Sequence, residues 1–288
     1  MTRNSAVGLL YLIVFIWGFT GILGKEISLS PIPLVFWRTL IAWVGISVYL
    51  LYKRYSIVFS SGQWRGMILS GLIIALHWIC FFTAIKVSNV STALTVLSTN
   101  AIFVSVVAPW IMQTRWNWRE GVVGAVAVLG LVFIFNFETR YWEGICWSLF
   151  AALFAATFSS INARLVKNID PTPMAWVEIG VACICVLIYI IFSADVSFEA
   201  QNLNFKNTGL LLILGWVATS FPFIASIGIM RQISPFVCAM AINLEPLYTI
   251  VIALFLYGES EYMSSGFYIG GLLILLTTFL GPIWSKSK

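Results

Sequence analysis

The stretch Ala-Ile-Asn-Leu-Glu-Pro-Leu-Tyr-Thr-Ile-Val-Ile-Ala-Leu-Phe-Leu-Tyr-Gly-Glu, residues Ala241 to Glu259, decides how this chain is read. It is apolar enough to lie in a bilayer, yet it sets Asn243, Glu245 and Pro246 near the middle of the hydrophobic run. An ionised carboxylate at mid-membrane costs about 2.5–3.5 kcal/mol on insertion scales. Proline also leaves the carbonyl four residues back, that of Ile242, without its amide partner. Lipid compensates neither defect, so this face is expected to point into protein or into a water-filled cavity.

The rest of the chain has the same character. Of 288 residues, 60% are hydrophobic and 9% charged, against roughly 25% charged in an ordinary soluble domain. A mean hydropathy of +0.97 puts it in the membrane class. The net charge of +5 does not imply nucleic acid, because the basic residues sit in short connections between apolar runs and report topology instead. Cys80, Cys146, Cys183, Cys185 and Cys238 all fall inside apolar runs and read as small core hydrophobes, not as metal ligands or a disulfide framework. The first apolar run lacks a persuasive cleavage site and is read as a retained span.

Windows of about 19 residues place spans near 6–24, 33–51, 67–85, 91–112, 121–137, 144–163, 173–192, 209–230, 236–257 and 266–284. The expected fold is an all-α polytopic membrane protein with ten transmembrane helices. The runs are continuous, which excludes a β-barrel. If the N-terminus is cytoplasmic, the inner side carries Arg3, Lys53, Arg54, Arg65, Arg115, Arg119, Arg164, Lys167, Arg231, Lys286 and Lys288. The outer side then has Lys25, Lys86, Arg140 and Lys206, with Glu26, Glu138, Glu143, Asp195, Glu199, Glu259 and Glu261. Eleven basic residues against four place both termini in the cytoplasm of a cell membrane.

Sliding the sequence against itself by about 145 residues lays Phe82 to Lys86 over Ile227 to Arg231, and Thr99-Asn100 over Glu245-Pro246. An offset of 140 lays Pro33 over Pro173 and Arg38 over Glu178. The identities are few, but five spans per half is an odd number. The second half must therefore enter the membrane inverted, a plan shared by many secondary transporters. The expected units are 1–140 and 141–288.

The Glu245-Pro246 pair, followed by Gly258-Glu259, then Gly266 and a last apolar span, resembles the closing segment of the EamA-type repeat of the drug/metabolite transporter superfamily. Trp17-Gly18 in the first span, and Arg38 after Pro33 in the second, are similar to features many members carry. The resemblance implies a ten-helix permease that moves small metabolites, typically amino acids or related compounds, often outward. The first repeat departs from the pattern at its end. Gln113 stands where the second has Glu259 and Asn100 where it has Pro246, so the ninth span is expected to be the more distorted.

Four ionisable residues lie well within the spans: Arg38, His77, Glu178 and Glu245. Arg38 either snorkels or pairs structurally, or else meets substrate or a gate, and Glu178 carries the same alternatives. His77, the only histidine, suits a pocket wall or an interhelical tie, and a lone imidazole suggests no metal site. Asn100 and Asn243 are midplane amides that either glue helices or face a solute. Trp17, Trp78 and Tyr248 supply flat walls or ordinary core. Small-residue stripes at Ala151, Ala155 and Ser159, at Ala152, Ala156 and Ser160, and at Gly266 and Gly270 read as packing surfaces. Trp64, Trp116, Trp118, Trp142 and Trp284 read as interfacial belt residues.

No nucleophile elbow, phosphate loop, dinucleotide fingerprint or metal motif appears, so neither an enzyme nor a cofactor is expected. The function expected is alternating access around a cavity between the first, third, fourth, sixth, eighth and ninth spans. Trp17, His77, Trp78, Asn100, Asn243, Glu245 and Tyr248 are the candidates for its wall, and Arg38, Glu178 and Glu245 for gating or coupling. The partners expected are a small-molecule substrate, membrane lipid and a coupling proton on Glu245, with no nucleic acid, in a monomer or homodimer. The alternatives are a non-transporting assembly or sensor subunit, or a facilitator for nucleotide sugars or polyamines.

Overall fold

A computed structural model of the protein describes residues 2–137 and 139–285, with side chains described except at 135 and 278–285. Glu138, Lys286 and Lys288, which enter the charge count, lie outside the described residues, as does the side chain of Trp284. The helices run α1 (Arg3–Glu26), α2 (Pro31–Lys53), α3 (Ser61–Val87), α4 (Val90–Leu97), α5 (Asn100–Met112), α6 (Trp118–Phe137), α7 (Trp142–Leu165), α8 (Pro171–Phe192), α9 (Phe205–Leu212), α10 (Phe221–Ile229), α11 (Pro235–Ile242), α12 (Glu245–Tyr257) and α13 (Ser265–Ser285).

Local sequence sets many of these starts. Proline occupies the first position of α2, α8 and α11, where its missing N–H is not needed. Ser60 and Gln63 close a reciprocal cap at the head of α3, and Asn89 accepts the Thr92 amide at the head of α4. Eight helical stretches among the described residues are long and apolar enough to cross a membrane, and Ser265–Thr277 adds a shorter apolar one. The protein is a multi-pass membrane protein.

Two of these stretches are interrupted, in the same way. An eight-residue helix, a two-residue break and a thirteen-residue helix make up α4–α5, and the same numbers recur in α11–α12. This corrects two expectations. The second broken helix is not the more distorted one, and the register shifts by a residue, so that Asn100 is the counterpart of Glu245 and Gln113 of Gly258. Both of the latter take positive φ, at 54° and 55°. Proline is not the seat of the break either, because Pro246 lies at the second position of α12, where no hydrogen bond is lost. Ser98, Thr99, Asn243 and Leu244 instead turn their amides back onto the preceding helix.

Between α9 and α10 the chain winds as a π-helix, Ile213–Ser220, just ahead of Pro222. The hydroxyls of Thr219 and Ser220 reach the carbonyls five residues back, those of Leu214 and Gly215, at 2.6 and 2.9 Å. Both carbonyls thereby gain a hydroxyl donor within the wider turn.

Equivalent helices of the two halves pack antiparallel. Along α2 and α8, Trp43 lies on Gly180 while Trp176 donates to Ser47 at 2.7 Å. Along α6 and α13, Phe137 covers Gly266 while Gly130 and Gly270 meet backbone to backbone, so of the Gly266 and Gly270 stripe Gly270 serves close approach and Gly266 makes room for a ring. α4 lies against α12 and α5 against α11, which sets the two breaks side by side.

The face opposite the N-terminus is tied shut. Lys25 at the end of α1 pairs with Glu261 at 2.7 Å, and the fully buried Glu261 also accepts the amides of Val90 and Ser91 at 3.2 and 2.9 Å. That carboxylate caps the N-terminus of α4. Beneath it Gly24 lies against Phe82, and Gly21 against Val90 and Leu94. Glu261→Ala is expected to cost about 3 kcal/mol and to lower the melting temperature of the purified protein more than Lys25→Ala does. Glu259→Ala, at an exposed site, is expected to change nothing, so equal losses at Glu259 and Glu261 would contradict this account.

Candidate functional site

Between the halves lies a cavity of about 120 Å³, room for on the order of ten waters. Its wall draws on α1, α2, α3, α4, α5, α7, the π-helix, α10, α11 and α12. Of the residues singled out in the sequence, it brings together Trp17, Arg38, His77, Trp78, Asn100 and Glu245.

Arg38 is 3% exposed and its guanidinium lies 4.3 Å from the ring centre of Trp78 and 5.4 Å from that of Phe82. Its Nε donates to Thr219 Oγ1 at 2.7 Å, but its Nη1 is buried with no acceptor. The side chain does not snorkel, and no carboxylate pairs with it among the described residues. On the opposite half, Glu245 is 5% exposed and opens α12; among the described residues its carboxylate has neither a cation nor a hydrogen-bond donor.

His77 Nδ1 lies 2.8 Å from the carbonyl of Ala151. A carbonyl only accepts, so Nδ1 carries the proton and the other ring nitrogen, Nε2, is the acceptor. The imidazole stacks on Phe81 and meets the edge of Phe158, while Phe223 bridges Phe158 and Trp78. The stripe on α7 has two uses, since Ala155 and Ser159 line the cavity while Ala151 anchors the imidazole.

Three candidates lie elsewhere. Tyr248 fits into the space left by Gly18 and its hydroxyl donates to the carbonyls of Val14 and Phe15, with Thr249 on the Gly18 carbonyl beside it. It ties α12 to α1. Asn243 sits inside the break, fully buried, both side-chain polar atoms unpartnered. Glu178 is fully buried between helices, taking a 3.0 Å hydrogen bond from Asn162, which in turn accepts from Ser70 at 2.8 Å. Although α2 and α8 pack together, Arg38 and Glu178 engage different partners.

Sequence reading missed Thr219, Phe158 and Phe223. Nothing in the sequence marks which hydroxyl turns to Arg38.

The wall is thus aromatic with one cation and one carboxylate, and it sits where two repeated halves meet. The sequence model of the EamA-like transporter family matches residues 4–136 and again 142–281. The chain belongs to the EamA-like transporter family. Among relatives, an uncharacterized transporter of Clostridium kluyveri is 24% identical over 71% of this chain and 67% of its own length. The uncharacterized transporter YwfM of Bacillus subtilis is 23% identical over 91% of this chain and 90% of its own length. One solved crystal structure covers the whole of both chains with a TM-score of 0.71 at 14% identity, a likeness of fold.

For this EamA-like transporter, Tyr248→Phe is expected to lower thermal stability by about 1 kcal/mol with solute binding unchanged. A change in affinity as large as that produced at Trp78 would place Tyr248 in the wall after all.

Proposed function

We propose that the protein is a secondary transporter that moves a small zwitterionic metabolite, an amino acid or a related compound, across the cell membrane by alternating access around this cavity. The observation that carries the reading is that Arg38 and Glu245 line one cavity and that, among the described residues, neither has a counter-ion. A guanidinium is a permanent cation and its desolvation is costly. A solute with a carboxylate and an ammonium group supplies both missing partners, and the aromatic rings between them accept its apolar part.

Trp118–Phe137 and Ser265–Ser285, packed on one another, serve as fifth and tenth spans in this reading. The antiparallel pairing of equivalent helices supports two inverted five-helix halves. The bias of basic residues puts both termini in the cytoplasm, and the family resemblance favours export. The latch at Lys25 and Glu261 would then close the outer face. Glu245, facing a cavity that hydrates and dries as the halves rock, is the group assigned to a coupling proton.

Flux of labelled amino acids into proteoliposomes tests this. Arg38→Gln and Glu245→Gln are each expected to lower it about tenfold to a hundredfold, the loss of one charge-assisted hydrogen bond. No amino acid moving faster than in empty liposomes would end the substrate assignment. An unaltered response to a pH gradient in Glu245→Gln would end the proton's.

A further inference from the structure

The two broken helices present matching N-termini to the cavity, and the two differ in charge. α12 opens with Glu245 and Pro246, so its positive end has its own carboxylate and one fewer N–H to satisfy. α5 opens with Asn100 and Ala101, which have neither. Asn100 is 6% exposed, and its Oδ1 is shut away without a partner. Its amide nitrogen, a donor, is therefore the atom it offers to the cavity. Arg38, with its own unpartnered Nη1, lines the same cavity.

We propose that the first turn of α5, at Asn100, is the subsite for the carboxylate of the transported solute, held by the Asn100 side-chain amide at the repeat position that Glu245 has on α12. At the same repeat position the first half offers the cavity an amide donor and the second a carboxylate. Glu245, across the repeat relation, then meets the ammonium end, and Arg38 contributes positive potential from the second helix. α5 runs for thirteen residues, long enough for its terminal amides to favour an anion. The inference rests on the zwitterion reading above and adds the direction in which the solute lies.

Asn100→Asp puts a carboxylate where the solute's would sit, with almost no change of shape. Ligand-free Asn100→Asp is expected to melt higher than Asn100→Leu, because the added charge completes the helix end. In thermal-shift titrations with the standard amino acids, each beside the amine left by its decarboxylation, Asn100→Asp is expected to weaken amino-acid binding about tenfold. Binding of the amine is expected to hold or improve. Amino-acid binding equal to that of the unaltered protein, or equal melting of the Asp and Leu variants, would overturn the subsite. If the unaltered protein responds to neither class, the zwitterion reading fails and the melting comparison alone decides the subsite. Should Asn100→Asp not fold, Asn100→Leu is expected to weaken the amino acid and spare the amine, and equal weakening of both would overturn the proposal.

Discussion

In the hydrocarbon core of a bilayer no water is at hand for a bare amide or carbonyl, so each backbone polar group has to be satisfied within the protein. Among the described residues the long spans depart from continuous helix at three places, and all three lie in the same region. The breaks before Asn100 and Glu245 are packed side by side, and the π-helix that carries Thr219 faces them across the cavity. Irregular backbone at membrane depth is tolerated only where it is buried in protein or lines a hollow. Here it does both. Every charged group of the cavity is tied to one of these departures. Glu245 heads a half-helix, and Arg38 is held by a hydroxyl that the wide turn places.

The same constraint explains which parts of the fold could be read from residues alone. Spans and repeat were legible because apolar runs of about 20 residues have no other economical use, and because Pro33 and Pro173 lie at the same offset as Arg38 and Glu178. The cavity charges were legible because Arg38 and Glu245 are expensive anywhere else. What stayed hidden was register. Pro246 looked like the cause of a kink, when a proline at a second helical position disturbs nothing. The breaks come from Ser98-Thr99 and Asn243-Leu244, two-residue turns with no distinctive composition. Side-chain direction was hidden too. Tyr248 lies three residues beyond Glu245 on the same helix, yet it faces α1, because Gly18 leaves room there for a ring and nothing in Tyr248 itself says so. Glu178 was as conspicuous as Arg38, but a donor on α7, Asn162, draws it away from the cavity.

The broken helices also join the cavity to the closed face. Glu245 opens α12, and the chain that leaves its far end turns through Gly258 to Glu261. Thirteen residues at about 1.5 Å each put the two carboxylates at opposite ends of a rod about 20 Å long. Glu261 grips the amides of Val90 and Ser91, the first turn of α4, and the other end of α4 is the break that precedes Asn100. The two half-helices and the Glu261 contact therefore make a loop that starts and ends in the cavity wall. A short helix is stiff along its axis, while a two-residue break can hinge. A shift of α12 at Glu245 has to be taken up either at Gly258, whose φ of 55° suits a glycine turn, or at the hold of Glu261 on α4. Lys25, over the ring of Tyr257 and bonded to Glu261, clamps both of those points to α1. The clamp on the closed face is in this way the fixed end of the same rods whose free ends line the hollow, and no further element is needed to connect them.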